Sequence, residues 1–148
     1  SVQRMSLPPG RSARWAAQEY SAWLPLVFRS FLIAEVDVAL NVRFRLLFPR
    51  ISLLELSFAH DRSLAPDRHV FYITGGLLSY KLARSTNRSR LEFRQVLDGS
   101  TLVVGIHDYR PTLPWPAYTC TQALLHLWVM RKFAKHLAML AGSAAARV

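Results

Sequence analysis

From Val38 onward, apolar and polar residues alternate along the chain. Val38, Leu40, Val42, Phe44, Leu46 and Phe48 are apolar, with Ala39, Asn41, Arg43, Arg45 and Leu47 between them. A period of two sustained over eleven residues predicts a half-buried strand, ended by Pro49. Ile51 to Phe58 predicts a second strand with Leu54, Leu56 and Phe58 on one face. Val70 to Tyr80 predicts a third, weakened or bulged at Gly75-Gly76. Residues 60–68 read as a loop and residues 84–90 (RSTNRSR) as a polar turn. Arg90 to Leu97 and Ser100 to Tyr109 flank Asp98-Gly99, a strong hairpin signal. A two-residue turn there pairs Gln95 with Leu102, Phe93 with Val104 and Leu91 with Ile106. Nearly all of these are apolar, so register and burial agree.

Helical spacing brackets the strands. Residues 1–11 predict an irregular tail. Ser12 is a suitable N-cap for a helix to about Trp23, and Pro25 suits the first turn of a second short helix, Leu26 to Ile33. After the Pro-rich bend at 111–116, a long helix is expected from about Ala117 to Ala141. Leu125, Val129, Phe133, Leu137 and Leu140 form its stripe, Gly142 its C′ residue, and residues 142–148 a tail. Neither a repeat nor a domain boundary interrupts residues 12–141, which predict a single α+β domain: a curved antiparallel sheet of about five strands, preceded by two short helices and covered by a long C-terminal helix.

Composition narrows this further. The 148 residues suit one domain, and 51% hydrophobic against 19% charged residues excludes intrinsic disorder. The single cysteine, Cys120, excludes an internal disulfide framework and a Cys-cluster zinc site. The most apolar early run, Ala22 to Leu40, is interrupted by Pro25, Arg29, Glu35 and Asp37, whereas a spanning helix needs about 20 nearly uncharged residues. No apolar h-region follows Arg4 and Arg11. A soluble, cytoplasmic protein is the expectation. The formal net charge is +10.

The order of elements, together with the run RLEFRQVLDGSTLVVGIHDYRPTLPWPAYTCTQALLHLWVMRKFAKHL, resembles the helix-grip fold of the START-like (polyketide cyclase-like, SRPBCC) superfamily, in particular uncharacterised bacterial members. There, too, a last strand leads through a Pro-containing bend and an aromatic, such as Trp115 or Tyr118, into the gripping helix. The family normally opens with a strand before its two short helices, which residues 1–11 do not predict. An NTF2-like cone is the alternative. It also puts helices before a curved sheet but rarely ends in so long a helix. The resemblance implies a mostly apolar cavity between sheet and C-terminal helix, taking an apolar or amphipathic, lipid-like small molecule without a cofactor. Phe93, Val104 and Trp128 are candidate lining residues, and Asp108, His107, Tyr118 and His126 candidate polar groups that select the ligand's head. A filled core is the competing reading of the same aromatics.

The polar candidates have two readings each. By the hairpin register Asp108 shares the face of Leu91, Phe93, Val104 and Ile106, where an inward carboxylate would anchor a ligand hydroxyl or act as a base. Alternatively the strand has ended, and Asp108 caps the bend or pairs with Arg110. His60-Asp61 with His107 and Asp108, or with His69, would make a metal set, but no HxH, HxxxH or HExxH spacing supports one. Cys120 and His126, six apart on one helix, fall on roughly opposite faces and make a poor catalytic pair. Serines occur without a GxSxG elbow, so a cyclase- or hydratase-type enzyme ranks third. Arg43, Arg45, Arg90 and Arg94 fall on the polar strand face, with Arg84 and Arg88 in the adjoining turn. They make either a solvated sheet face or a basic surface for nucleic acid, an anionic membrane or an acidic partner. A homodimer also fits.

Overall fold

A computed structural model describes residues 1–48, 50–78, 89–109 and 122–145. The elements run β1 (Val2–Ser6), α1 (Ala13–Val27), a 3-10 turn (Arg29–Phe31), β2 (Leu32–Val36), β3 (Val42–Leu46), β4 (Ser52–Phe58), a 3-10 turn (His60–Arg62), β5 (Arg68–Gly75), β6 (Arg90–Val96), β7 (Thr101–His107) and α2 (Gln122–Ala145). All described strands join one strongly curled antiparallel sheet in the order β1-β7-β6-β5-β4-β3-β2. The architecture is α+β with a C-terminal helix, as the periodicity predicts, but the sheet has seven strands, not about five.

The first additional strand is β1, in the stretch expected to be an irregular tail. It pairs with β7 from Val2 opposite Gly105 to Ser6 opposite Thr101. Met5 and, just beyond the strand, Leu7 are buried, while Val2, Arg4 and Ser6 face out. An edge strand needs only one apolar side, and here that side is short.

The second is β2. The expected second helix, Leu26 to Ile33, is instead the end of α1, the 3-10 turn and the first two residues of β2. α1 is one helix that carries Pro25 inside its last turn. A proline there costs only the bond its own N–H would have made, and Phe28 N–H still donates to the Leu24 carbonyl at 3.4 Å. After the 3-10 turn, Leu32, Ala34 and Val36 face Leu46, Phe44 and Val42 across the β2–β3 hairpin.

The predicted eleven-residue strand is therefore a turn followed by five strand residues. Asp37 makes the turn: its Oδ1 accepts from the N–H groups of Ala39 at 2.8 Å and Asn41 at 3.0 Å. These bonds, with Asn41's amide the largest influence, hold the Asp37 carboxyl below its usual pKa. Val38 points wholly into solvent, so the alternation across residues 38–41 is incidental.

The β6–β7 hairpin has the expected register, with Gln95, Phe93 and Leu91 opposite Leu102, Val104 and Ile106. Gly75-Gly76 lies at an irregularity, since the β4–β5 register shifts between Glu55 and Leu56. Gly76 has φ +101°, and a Cβ there would lie 2.4 Å from the Leu53 carbonyl oxygen.

The inner face of the sheet carries Val42, Phe44, Leu56, Phe71, Ile73, Leu91, Phe93, Leu102 and Val104, all buried. α1 crosses β2, β5 and β6, and α2 lies beside β1. The helices meet through Tyr20, whose ring lies 5.2 Å from Phe133 and 5.7 Å from Phe93. Burial raises the pKa of its hydroxyl. Trp23 adds a contact of 5.2 Å to Phe133, and His136 Nε2 lies 2.7 Å from Glu19 Oε1. Val129, Phe133 and Leu137 of the predicted stripe are buried, whereas Leu125 is exposed. α2 runs through Gly142 to Ala145, past the expected stop at Ala141.

Candidate functional site: an apolar groove beside the first helix

α1 has two unlike flanks. Glu19, Tyr20 and Trp23 turn toward α2, and the packing there is close. Ala17, Gln18, Ser21, Ala22 and Pro25 turn the other way, and all but Gln18 are small. Small residues where β2, β3 and β5 curl past the helix leave a groove of about 370 Å³. Leu32, Ile33, Ala34 and Val36 of β2, with Leu40 and Val42 at the start of β3, form the opposite wall. Phe71 and His69 of β5 complete the lining.

His69 is the polar exception on this wall. It is 3% exposed, stacks on Phe58 at 4.6 Å and meets Phe71 edge-on at 4.9 Å. Its ring makes no hydrogen bond to any described residue. Desolvation, with the nearby Arg14 charge second, lowers its pKa to about 4, so the imidazole is neutral near pH 7. A neutral imidazole offers one N–H donor and one lone pair. The groove can therefore hold an aliphatic body against its walls and one polar group at His69. Ser21 does not compete, because its hydroxyl donates to the Ala17 carbonyl at 3.0 Å.

The residues singled out in the sequence do not converge on this groove. Phe93 and Val104 are fully packed in the core. Trp128 is largely exposed, 6.0 Å from Phe28 and beneath the Lys132 ammonium. His126 is half-buried on α2, where desolvation lowers its pKa. Tyr118 and the Pro-rich bend lie outside the described residues, as do Cys120, Arg84, Arg88 and Arg110.

Asp108 does not extend the inner face. β7 ends at His107, and a positive φ of 53° at Asp108 turns the chain. The exposed carboxylate then pairs with Arg90 Nη1 at 2.8 Å on the other side of the sheet. That partner is a strand residue. His107 also faces outward, with Nε2 3.9 Å from Glu92 Oε2.

The outer-face cations are mostly matched with carboxylates. Arg43 lies 3.5 Å from Glu55, Arg45 lies 3.0 Å from Glu35, and Arg90 serves Asp108 and Glu92. Arg68 binds Glu92 with two hydrogen bonds, at 2.8 and 3.1 Å. A second groove of about 340 Å³ crosses this face, but its polar walls, including Asp37 with Asn41 and Arg43 with Glu55, pair with one another. Among the described residues no three His, Cys, Asp or Glu side chains gather as a metal-binding group. His60 and His69 both contact the Phe58 ring.

The sequence does carry a signal for the groove. Ala17, Ser21, Ala22 and Pro25 fall at helical spacing on the side of α1 away from Tyr20 and Trp23. The stripe takes meaning only once an edge hairpin is set against it.

Fold and site together define an α+β domain whose first helix and curled sheet leave an apolar groove with a single buried imidazole in its wall. The chain matches no protein-family model and no curated protein. No helix among the described residues is long and apolar enough to cross a membrane.

Proposed function

We propose that this protein binds an apolar or amphipathic small molecule in the groove between α1 and the β2, β3 and β5 strands. The observation that carries the reading is the unfilled apolar volume of about 370 Å³ beside an otherwise closed core. Small-molecule sites typically enclose about 300–1,000 Å³, mostly apolar with a few polar groups. Binding works by burial: each 100 Å² of ligand surface removed from water is worth roughly 2.5 kcal/mol. The location differs from the cavity under the C-terminal helix that the family resemblance implies, because Phe93, Val104, Phe133 and Leu137 occupy that region.

The same reading makes the protein a helix-grip, START-like ligand binder. Two features support it over an NTF2-like cone. β1 supplies the strand that the family places before its first helix, and the 24-residue α2 follows the sheet.

The test is native mass spectrometry of the purified protein, followed by denaturing extraction. A stoichiometric apolar mass is expected, and Ala22→Trp should abolish it, because the indole would fill the groove from an exposed helix position. At a ligand concentration of about a hundred times Kd, linkage stabilises the fold by roughly 2.7 kcal/mol. A clean apo mass, with no thermal shift across a panel of lipids and apolar metabolites, would overturn the proposal.

A further inference from the structure

We infer that the groove takes an anionic amphiphile, an aliphatic chain with a carboxylate head, the head lying at the Arg14–His69 end and the tail along α1 toward Pro25. The inference rests on the groove being a ligand site and adds the class of ligand.

Three observations carry it. First, His69 is nearly fully buried in the groove wall and its ring makes only aromatic contacts among the described residues. Its place beside an open volume suits a partner that arrives with the ligand.

Second, Arg14 stands on the groove side of α1, one turn before Gln18 and two before Ser21. It is exposed, and no described carboxylate lies within 4.0 Å of it. It is near enough to His69 for its charge to disfavour imidazole protonation. His60 also meets the Phe58 ring on which His69 stacks.

Third, polarity falls along the groove. Beyond Gln18 the helix side is Ser21, its hydroxyl held by the Ala17 carbonyl, then Ala22 and Pro25, with Leu32 and Ala34 facing them. Gln18 to Pro25 spans about 10 Å of helix axis at roughly 1.5 Å per residue, the reach of a medium-length alkyl chain.

These features discriminate between head groups. A cationic head meets Arg14. A wholly apolar ligand leaves His69 unsatisfied. A carboxylate offers one oxygen to the guanidinium and the other to the imidazole N–H, both charge-assisted.

The experiment is isothermal titration of the full chain with decanoate, decanol and decyltrimethylammonium, on the wild type and on Arg14→Gln. Arg14 is exposed, so this variant is expected to keep the fold. Decanoate should bind most tightly and decyltrimethylammonium least. Arg14→Gln should weaken decanoate about fivefold and leave decanol unchanged. Decanoate should also raise the pH at which the His69 ring protons titrate in NMR spectra, which His69→Phe would assign while keeping the stack on Phe58. Equal binding of decanoate and decanol, or indifference of decanoate to Arg14→Gln, would overturn the head-group assignment and leave the groove as an apolar site. Failure of all three probes to bind would overturn both.

Discussion

Glu92 offers the sharpest test of how the sheet's outer face is held together. Its side chain is only 10% exposed and its oxygens take two hydrogen bonds from Arg68, with Arg90 Nε and His107 Nε2 each 3.9 Å away. Truncation by Glu92→Ala removes one carboxylate and strands the Arg68 guanidinium, while Arg90 keeps Asp108 at 2.8 Å. Charge-assisted hydrogen bonds contribute about 1.5–3 kcal/mol each, and breaking a fully buried pair costs about 3–5 kcal/mol. The arginine side chains keep 31% and 22% exposure, so water recovers part of that loss. The expected destabilisation is about 2–3 kcal/mol, or roughly 5–10 °C in Tm for a domain of this size. Urea unfolding of the wild type, Glu92→Ala, Arg68→Ala and the double variant closes a cycle whose coupling should exceed about 1 kcal/mol. Because the carboxylate is desolvated, the loss should persist in about 1 M salt. A loss under about 0.5 kcal/mol, or strict additivity in the cycle, would refute the reasoning. The arginines would then be free surface charge, and salt-dependent binding to nucleic acid or anionic vesicles would regain standing.

Three further outcomes follow from the structure. Phe133→Ala should cost about 3–5 kcal/mol in chemical denaturation, since the ring is fully buried between Tyr20 and Trp23, whereas Leu125→Ala on the same stripe should cost under about 1 kcal/mol. His69 makes stability pH-dependent: its folded pKa of about 4 lies below the unfolded value of 6.5, so the unfolded state binds more protons between them. His69 should therefore make stability fall as pH drops from about 6.5 to about 4, by at most about 3 kcal/mol, and His69→Phe should reduce the slope in urea titrations at each pH, leaving the His126 share. Asn41→Ala should speed amide exchange in the β2–β3 hairpin and cost about 1–2 kcal/mol, because Asn41 Oδ1 accepts from Ser57 Oγ at 3.1 Å and Phe58 N–H at 2.9 Å.

What the chain revealed by inspection was the part set by local pattern. Asp98 and Gly99 carry φ values of 54° and 87°, a backbone those two residues tolerate, and Leu97 before them is drawn into it at 52°. Each side of the hairpin then alternates cleanly, and the register follows. On α2, Val129, Phe133 and Leu137 are four apart, and a helix has one way to bury such a stripe. β1 was hidden because its inward residues, Gln3 and Met5, are mixed in polarity, and Arg4 between them reads as surface. β2 was hidden because Leu32, Ile33 and Ala34 continue an apolar run, and a short apolar run does not by itself distinguish helix from strand. The missing clue was Asp37, whose side chain builds the turn that folds β2 back on β3. Asp108 shows the limit of extrapolating a register: one residue past the ladder, a positive φ sends the side chain to the opposite face.

The groove was illegible for a different reason. A core residue announces itself by bulk and period, but a groove is made by bulk that is missing, and missing bulk has meaning only against a particular neighbour. On α1 the large residues Tyr20 and Trp23 and the small residues Ala17, Ser21 and Ala22 occupy opposite flanks of one amphipathic helix. The large flank meets Phe133 of α2, where filling the space stabilises the fold. The small flank meets the edge of the sheet, where a Leu or Phe at position 17 or 21 would fill the open volume. A chain under selection for stability alone has a simple way to close that gap, and cavity-filling substitutions of this kind commonly add about 0.5–2 kcal/mol. Stability alone likewise gives no reason to keep an imidazole in the same wall, since an apolar ring such as phenylalanine would stack on Phe58 and bury more apolar surface. Two independent departures from the most stable arrangement meet at one place, and a ligand that supplies both the missing bulk and the missing hydrogen bond accounts for them together.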